Sequence, residues 1–157
     1  FAAPNPGGSK QVPAKASIAK ELNDPKIPVL DKAALAFPNT PEGKKAMKES
    51  LDRIAAAHAS GEAPNDMTCS EETAKRQNRA RGVLWKANQS NYQDLAKIKI
   101  PVLVADGRDD IIDPPQNSSI IAARIPFSWL AFYEGGHAFL YQSAAKFGAT
   151  VNLFLSK

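Results

Sequence analysis

The chain has 157 residues, 43% of them hydrophobic and 23% charged, which suits one ordinary domain with a real core. The net charge of +4 comes from mixed signs, with no basic stripe carrying interleaved aromatics, so nucleic-acid binding is not expected. A single cysteine, Cys69, excludes an internal disulfide framework and a C-x-x-C metal site, and no apolar run nears the roughly 18 residues of a membrane span.

The opening, Phe1-Ala2-Ala3-Pro4-Asn5-Pro6-Gly7-Gly8-Ser9, has neither a charged n-region nor a long apolar h-region. It does not read as a signal peptide, so a cytoplasmic location is the default. With no initiating Met, the chain is expected to be processed or a piece of something longer. Residues 1–13 are rich in Pro, Gly and Ala and read as a linker. A short helix is expected over Ala14–Leu22, after which Pro25 and Pro28 break regular structure.

Thr40-Pro41 is a helix start, with Thr40 as N-cap and Pro41 in the first turn. Met47, Leu51, Ile54 and His58 then recur at helical spacing on one apolar stripe, and Gly61 and Pro64 end the segment. Ser70 followed by Glu71 and Glu72 marks another start, with carboxylates at the positive end of the helix dipole. This helix is expected to reach Trp85 or Ala87, with a further helical piece near Tyr92–Ala96. Residues 14–96 therefore read as mostly helical.

The pattern changes at Ile98. Ile100-Pro101-Val102-Leu103-Val104-Ala105 is apolar on both faces, as a buried parallel strand is. Asp106-Gly107-Arg108-Asp109-Asp110 is its exit loop. Pro114-Pro115 opens a helix carrying Ile120, Ile121 and Ile125. Trp129–Tyr133 is a second strand, left through Glu134-Gly135-Gly136-His137. Leu140, Ala144, Phe147, Val151 and Phe154 form a final helical stripe. Strand, helix, strand, helix implies a parallel pair with a right-handed crossover. Two parallel strands do not make a stable sheet alone, and residues 1–96 supply no convincing third. Further strands are expected from outside the chain.

Ligands bind beyond the carboxyl ends of parallel strands. The first strand's loop offers Asp106, Asp109, Asp110 and Asp113; the second offers His137 behind two glycines. A carboxylate beside an imidazole selects its tautomer and stabilises the imidazolium formed when it takes a proton. Asp106 and Asp109 compete with Asp110 for that place, because a one-residue shift in the turn changes which side chain points at His137. Asp113, before Pro114, reads as an N-cap.

Gly107-Arg108-Asp109-Asp110-Ile111-Ile112-Asp113-Pro114 resembles the G-x-x-D-x-x-x-P segment of the α/β-hydrolases, and Gly136-His137 resembles that family's G-H after the last strand. The resemblance implies an α/β fold: the C-terminal portion of an α/β-hydrolase core at 97–157, two parallel strands with flanking helices, preceded by a mostly helical cap at 14–96. Residues 2–8 then resemble the loop leaving the sixth strand. It implies Asp110 as triad acid and His137 as triad base, acting on a small ester-like substrate without metal or organic cofactor. Some families of this fold place the acid after an earlier strand instead.

The chain has no G-x-S-x-G elbow. Ser118, Ser119 and Cys69 lack flanking glycines and do not read as nucleophiles. The nucleophile and first oxyanion-hole loop are expected upstream of Phe1, which would leave the chain inactive alone. The alternatives are a hydrolase with an Asp nucleophile, of the epoxide hydrolase or haloalkane dehalogenase kind, and a non-catalytic interaction module or swapped dimer. The expected partner for the open sheet is an upstream half or a second copy. His58 reads as the edge of a buried face, and Lys75, Arg76, Arg79 and Arg81 as a solvated helix face. Trp85, Phe37 and Met47 suit either an apolar pocket or ordinary packing.

Overall fold

The computed structural model describes residues 2–24, 26–63 and 70–156, apart from the Val83 side chain. Pro25, Pro64 and Cys69, used in the sequence reading, lie outside the described residues. Helices α1 (Ala16–Asn23), α2 (Val29–Ala34), α3 (Pro41–Ala59), α4 (Glu71–Arg79) and α5 (Ser90–Asp94) come first. Strand β1 (Val102–Gly107), helix α6 (Gln116–Arg124), strand β2 (Ser128–Tyr133), and helices α7 (Phe139–Gln142) and α8 (Ala144–Leu155) follow.

Side-chain caps fix two of the helix starts. Thr40 caps α3 by accepting from Gly43 N at 3.1 Å, with Pro41 in the first turn. Ser70 caps α4 in the same way, through Thr73 N at 3.2 Å. Met47, Leu51, Ile54 and His58 are half-buried along one side of α3. The charged run of α4 stays in solvent, where Glu71 pairs with Lys75 and Glu72 with Arg76 at i,i+4 spacing.

Four expectations need correction or extension. Regular structure breaks between Asn23 and Val29 as expected, but Pro28 is also the N-cap of a helix the sequence reading did not expect, α2, because a proline's missing N–H costs nothing at a helix start. The helix after Ser70 widens into a π-helical segment over Ala80–Trp85. The final stripe is two helices, since Ser143 leaves helical geometry and its hydroxyl donates to Glu134 O at 2.9 Å. Asp113 does not cap α6: that helix starts at Gln116 behind Pro115, and Asp113 Oδ1 accepts from Asn5 Nδ2 at 2.8 Å.

The strands pair in parallel, Val102 opposite Ser128 through Gly107 opposite Tyr133. Side chains alternate between two packed faces. On one, Val104 meets Ile121, Ala122 and Ile125, with Leu95, Ile98 and Val102 around them. On the other, Ala105 meets Tyr133 and Phe139, flanked by Ala3, Ala131, Leu140 and Phe147. Burial on both faces explains why β1 lacks alternation in the sequence.

The N-terminal end of the described chain lies along β1. Ala2 bridges Ala105 in parallel, and Ala3 N donates to Ala105 O at 2.9 Å. The linker then folds back onto α6, where buried Asn117 accepts from Val12 N at 2.7 Å and donates to Val12 O at 2.9 Å. No helix among the described residues is long and apolar enough to cross a membrane.

Phe139 is fully buried, stacked on Tyr133 at 5.3 Å and edge-on to Phe147 at 5.4 Å. Phe139→Ala is expected to cost about 3–5 kcal/mol of stability, read from the midpoint of urea unfolding.

Candidate active site

Two loops, one leaving each strand, lie backbone to backbone. Arg108 N donates to Tyr133 O at 2.9 Å and Asp109 N to Gly135 O at 2.9 Å, extending the parallel pairing past the strand ends. Glycine makes this approach possible. A Cβ on Gly107 would stand 2.1 Å from Gly136 O, and one on Gly136 would stand 2.7 Å from Ala36 O. Gly135 has φ 124°, a region that L side chains rarely adopt.

This junction sets Asp110 against His137. Asp110 Oδ2 lies 2.8 Å from His137 Nδ1. Its other oxygen, Oδ1, accepts from Ile112 N at 2.8 Å and Asp113 N at 2.9 Å. The Asp110 side chain is wholly buried, whereas a third of the imidazole is exposed. With Nδ1–H donating to the carboxylate, Nε2 carries the free lone pair. His137 Nε2 has no hydrogen-bond partner among the described residues. The loop is pinned by Ala138 N donating to Ala36 O at 2.9 Å, a contact from the segment after α2.

The rival carboxylates go elsewhere. Asp109 is exposed. Asp106 is completely buried and accepts from Ser118 Oγ at 2.6 Å and from Gly107 N at 2.7 Å. The hydrogen bond to Asp110 holds the His137 ring above its ordinary pKa, partly opposed by burial and helped by the charges of Asp110, Asp113 and Asp106. Burial pushes the Asp106 carboxyl up to about 7, with Asp110 nearby adding to the rise and the Ser118 bond opposing it. Burial likewise raises Asp113, against its bond from Asn5.

Ser118 is buried in α6 and Ser119 is exposed on it; neither is presented as a nucleophile. Among the described residues, no three His, Cys, Asp or Glu side chains converge as metal ligands. Trp85 does not share a pocket with Phe37 and Met47. Trp85 lines a mainly apolar cavity of about 270 Å³ with Ala3, Pro4, Leu95 and Ile121. Phe37 and Met47 line another, of about 580 Å³, beside Asp109 and Ile111. Asn5 joins the first cavity to the acid loop: its Oδ1 accepts from Trp85 Nε1 at 2.7 Å while its Nδ2 donates to Asp113. The sequence reading missed the roles of Asn5, Asn117 and Ser118, which no local pattern marks.

No protein-family model matches the chain, and no curated protein does. Solved structures do. An α/β fold family hydrolase from Bacillus anthracis is 25% identical at a TM-score of 0.61, over 88% of this chain and 46% of that one. A meta-cleavage product hydrolase from Pseudomonas fluorescens is 14% identical at a TM-score of 0.66, over 99% of this chain and 54% of that one. An esterase from a Rhodococcus species is 21% identical at a TM-score of 0.58, over 94% and 49%. The chain thus spans about half the length of the solved proteins it matches.

Gly107→Ala is expected to cost about 1–3 kcal/mol or more, because the added methyl meets backbone that cannot swing aside, and the urea midpoint should fall accordingly. A pH effect also follows. Asp106, Asp113 and His137 all hold protons more tightly folded than unfolded. Stability is therefore lost as pH rises from the ordinary carboxylate value of 3.8 to about 7 for Asp106, and as it climbs through a value above 6.5 for His137. The thermal midpoint of the chain should be lower at pH 8 than at pH 5.

Proposed function

The chain has the α/β-hydrolase fold, and from that premise we propose that Asp110 and His137 are the acid and base of a site that hydrolyses an ester or related acyl bond. The observation that carries the reading is the 2.8 Å contact between Asp110 Oδ2 and His137 Nδ1, made by a buried carboxylate and a partly exposed ring. A serine nucleophile is assigned to a segment upstream of Phe1, since the chain contains no G-x-S-x-G elbow. The chain alone is then inactive.

In this reading His137 Nε2 takes the proton of the nucleophile hydroxyl as its oxygen adds to the substrate carbonyl carbon. Asp110 holds the ring and stabilises the imidazolium. When the tetrahedral intermediate collapses, Nε2 returns that proton to the departing alkoxide. Water then attacks the acyl-enzyme carbonyl, giving its proton to Nε2, and the nucleophile is released with the proton restored. No step needs a metal or an organic cofactor.

The upstream segment would also complete the sheet. Three features support this: β1 is bridged on its outer edge only at Ala2 among the described residues, Trp129 and Leu130 of β2 are about 40% exposed, and the buried Tyr133 hydroxyl has no hydrogen-bond partner among the described residues. A second copy pairing along the same edge is the alternative occupant. We assign residues 14–96 as a cap that selects the substrate, with Trp85 at the junction.

The test is hydrolysis of a short-chain nitrophenyl ester by the protein carrying its upstream segment. His137→Ala and Asp110→Asn should each lower kcat by a factor on the order of 10⁴. Wild-type activity in His137→Ala would remove His137 as the base.

A further inference from the structure

Asn5 stands where three segments meet, and the hydrolytic reading gives it no task. Ala3, two residues before it, is tied to β1 by Ala3 N donating to Ala105 O at 2.9 Å. Pro4 and Pro6 bracket it, each with its own φ fixed by the ring, and Pro6 is fully buried. Gly7, at φ 65°, then runs so close to Trp85 that a Cβ there would stand 2.7 Å from Trp85 O. The Asn5 side chain is thus presented from a stiff segment held on both sides.

The partners of that side chain fix which way its amide faces. Oδ1 accepts from Trp85 Nε1 at 2.7 Å and from Gly7 N at 3.3 Å. Both are donors, so the NH2 group is left for the Asp113 carboxylate, which it meets at 2.8 Å. No other hydrogen bond reaches the Asp113 side chain among the described residues. Asp113 in turn serves Asp110 through its backbone. Asp113 N and Ile112 N hold Asp110 Oδ1 at 2.9 and 2.8 Å, and Oδ2 is left facing His137 Nδ1 at 2.8 Å. Contacts of 2.7 to 2.9 Å therefore join the indole of Trp85, through Asn5, Asp113 and Asp110, to the imidazole.

We propose that Asn5 is a positioning residue for the acid and base: by holding the Asp113 carboxyl it fixes the turn whose amides aim Asp110 at His137. Its meaning for catalysis rests on the hydrolytic reading; the geometric link does not. The place calls for asparagine, because the side chain must accept on one side and donate on the other. An aspartate there would set a carboxylate against Asp113. An alanine would leave that half-buried carboxyl without its donor. Asp110 Oδ1 reaches only two and three residues ahead, so a shift at Asp113 moves the amides that hold it.

The test reads the tautomer of the His137 ring from its nitrogen NMR signals in the intact chain. It is read at the alkaline end of the titration, where the neutral ring carries one N–H. The tautomer follows the hydrogen bond that Nδ1 makes to Asp110. The chain has two histidines, and His58 is the internal reference. The wild-type ring should be in the Nδ1–H form. In Asn5→Ala and in Asn5→Asp the Nδ1–H fraction should fall with His58 unmoved. The double variant Asn5→Asp/Asp113→Asn exchanges donor and acceptor and should restore it. A tie that serves stability alone predicts a lower urea midpoint and an unchanged tautomer. In the protein carrying its upstream segment, kcat on the nitrophenyl ester should fall on the order of 10²-fold in Asn5→Asp, the cost of a misplacement of about 1 Å, and recover in the double variant. An unchanged His137 tautomer in folded Asn5→Ala overturns the proposal and leaves the hydrolytic reading standing. Should either single variant not fold, the other and the double variant decide the matter. Retained ester hydrolysis in His137→Ala would sink the hydrolytic reading and leave the tautomer result standing.

Discussion

The close approach of two backbones at Gly107 and Gly136 is the constraint on which the rest of this structure depends. With any side chain at 107, a Cβ would sit 2.1 Å from the opposing carbonyl oxygen. Without one, the exit loops of β1 and β2 continue the sheet's hydrogen bonding beyond its last residues. That places a carboxylate from one strand and an imidazole from the other at contact distance, on a scaffold buried on both faces. Loops so anchored behave more like sheet than like free connections, and a general base needs that rigidity to meet its proton donor in a fixed geometry.

Electrostatics follows from the same packing. Asp110 is wholly buried, yet both its oxygens are engaged: two backbone amides hold one and the imidazole the other. These donors replace the water that the buried side chain lost. Asp106, four residues earlier, is buried with fewer donors and rises to about 7. The acid in the strand and the acid in the loop after it thus differ in the donors that surround them.

Side-chain amides help tie the N-terminal linker and the helical region to the strand-end segments, beside the apolar contacts of Ala3 and Leu95. Asn117 reads both backbone groups of Val12, and Asn5 bridges Trp85 to Asp113. Each bond is modest by itself, worth about 1 kcal/mol. Asn5 thereby joins the lining of the apolar cavity beside Trp85 to Asp113.

The sequence alone determined the strand, helix, strand order from Ile98 and the capped starts of α3 and α4, because those rest on local chemistry: apolar runs, Thr40-Pro41, and Ser70 before paired glutamates. It also singled out Asp110 and His137, but through resemblance to a motif; the residues themselves left Asp106 and Asp109 open. Tertiary structure decided among the three acids, since only the folded loop shows which carboxyl turns toward the ring. It likewise decided that Asp113 bonds Asn5 instead of capping α6, and that Ser118 belongs to Asp106. Those partners lie 108 and 12 residues apart. Periodicity and capping act over one or two helical turns, so pairings of that separation leave no local trace and appear only when packing brings the segments together.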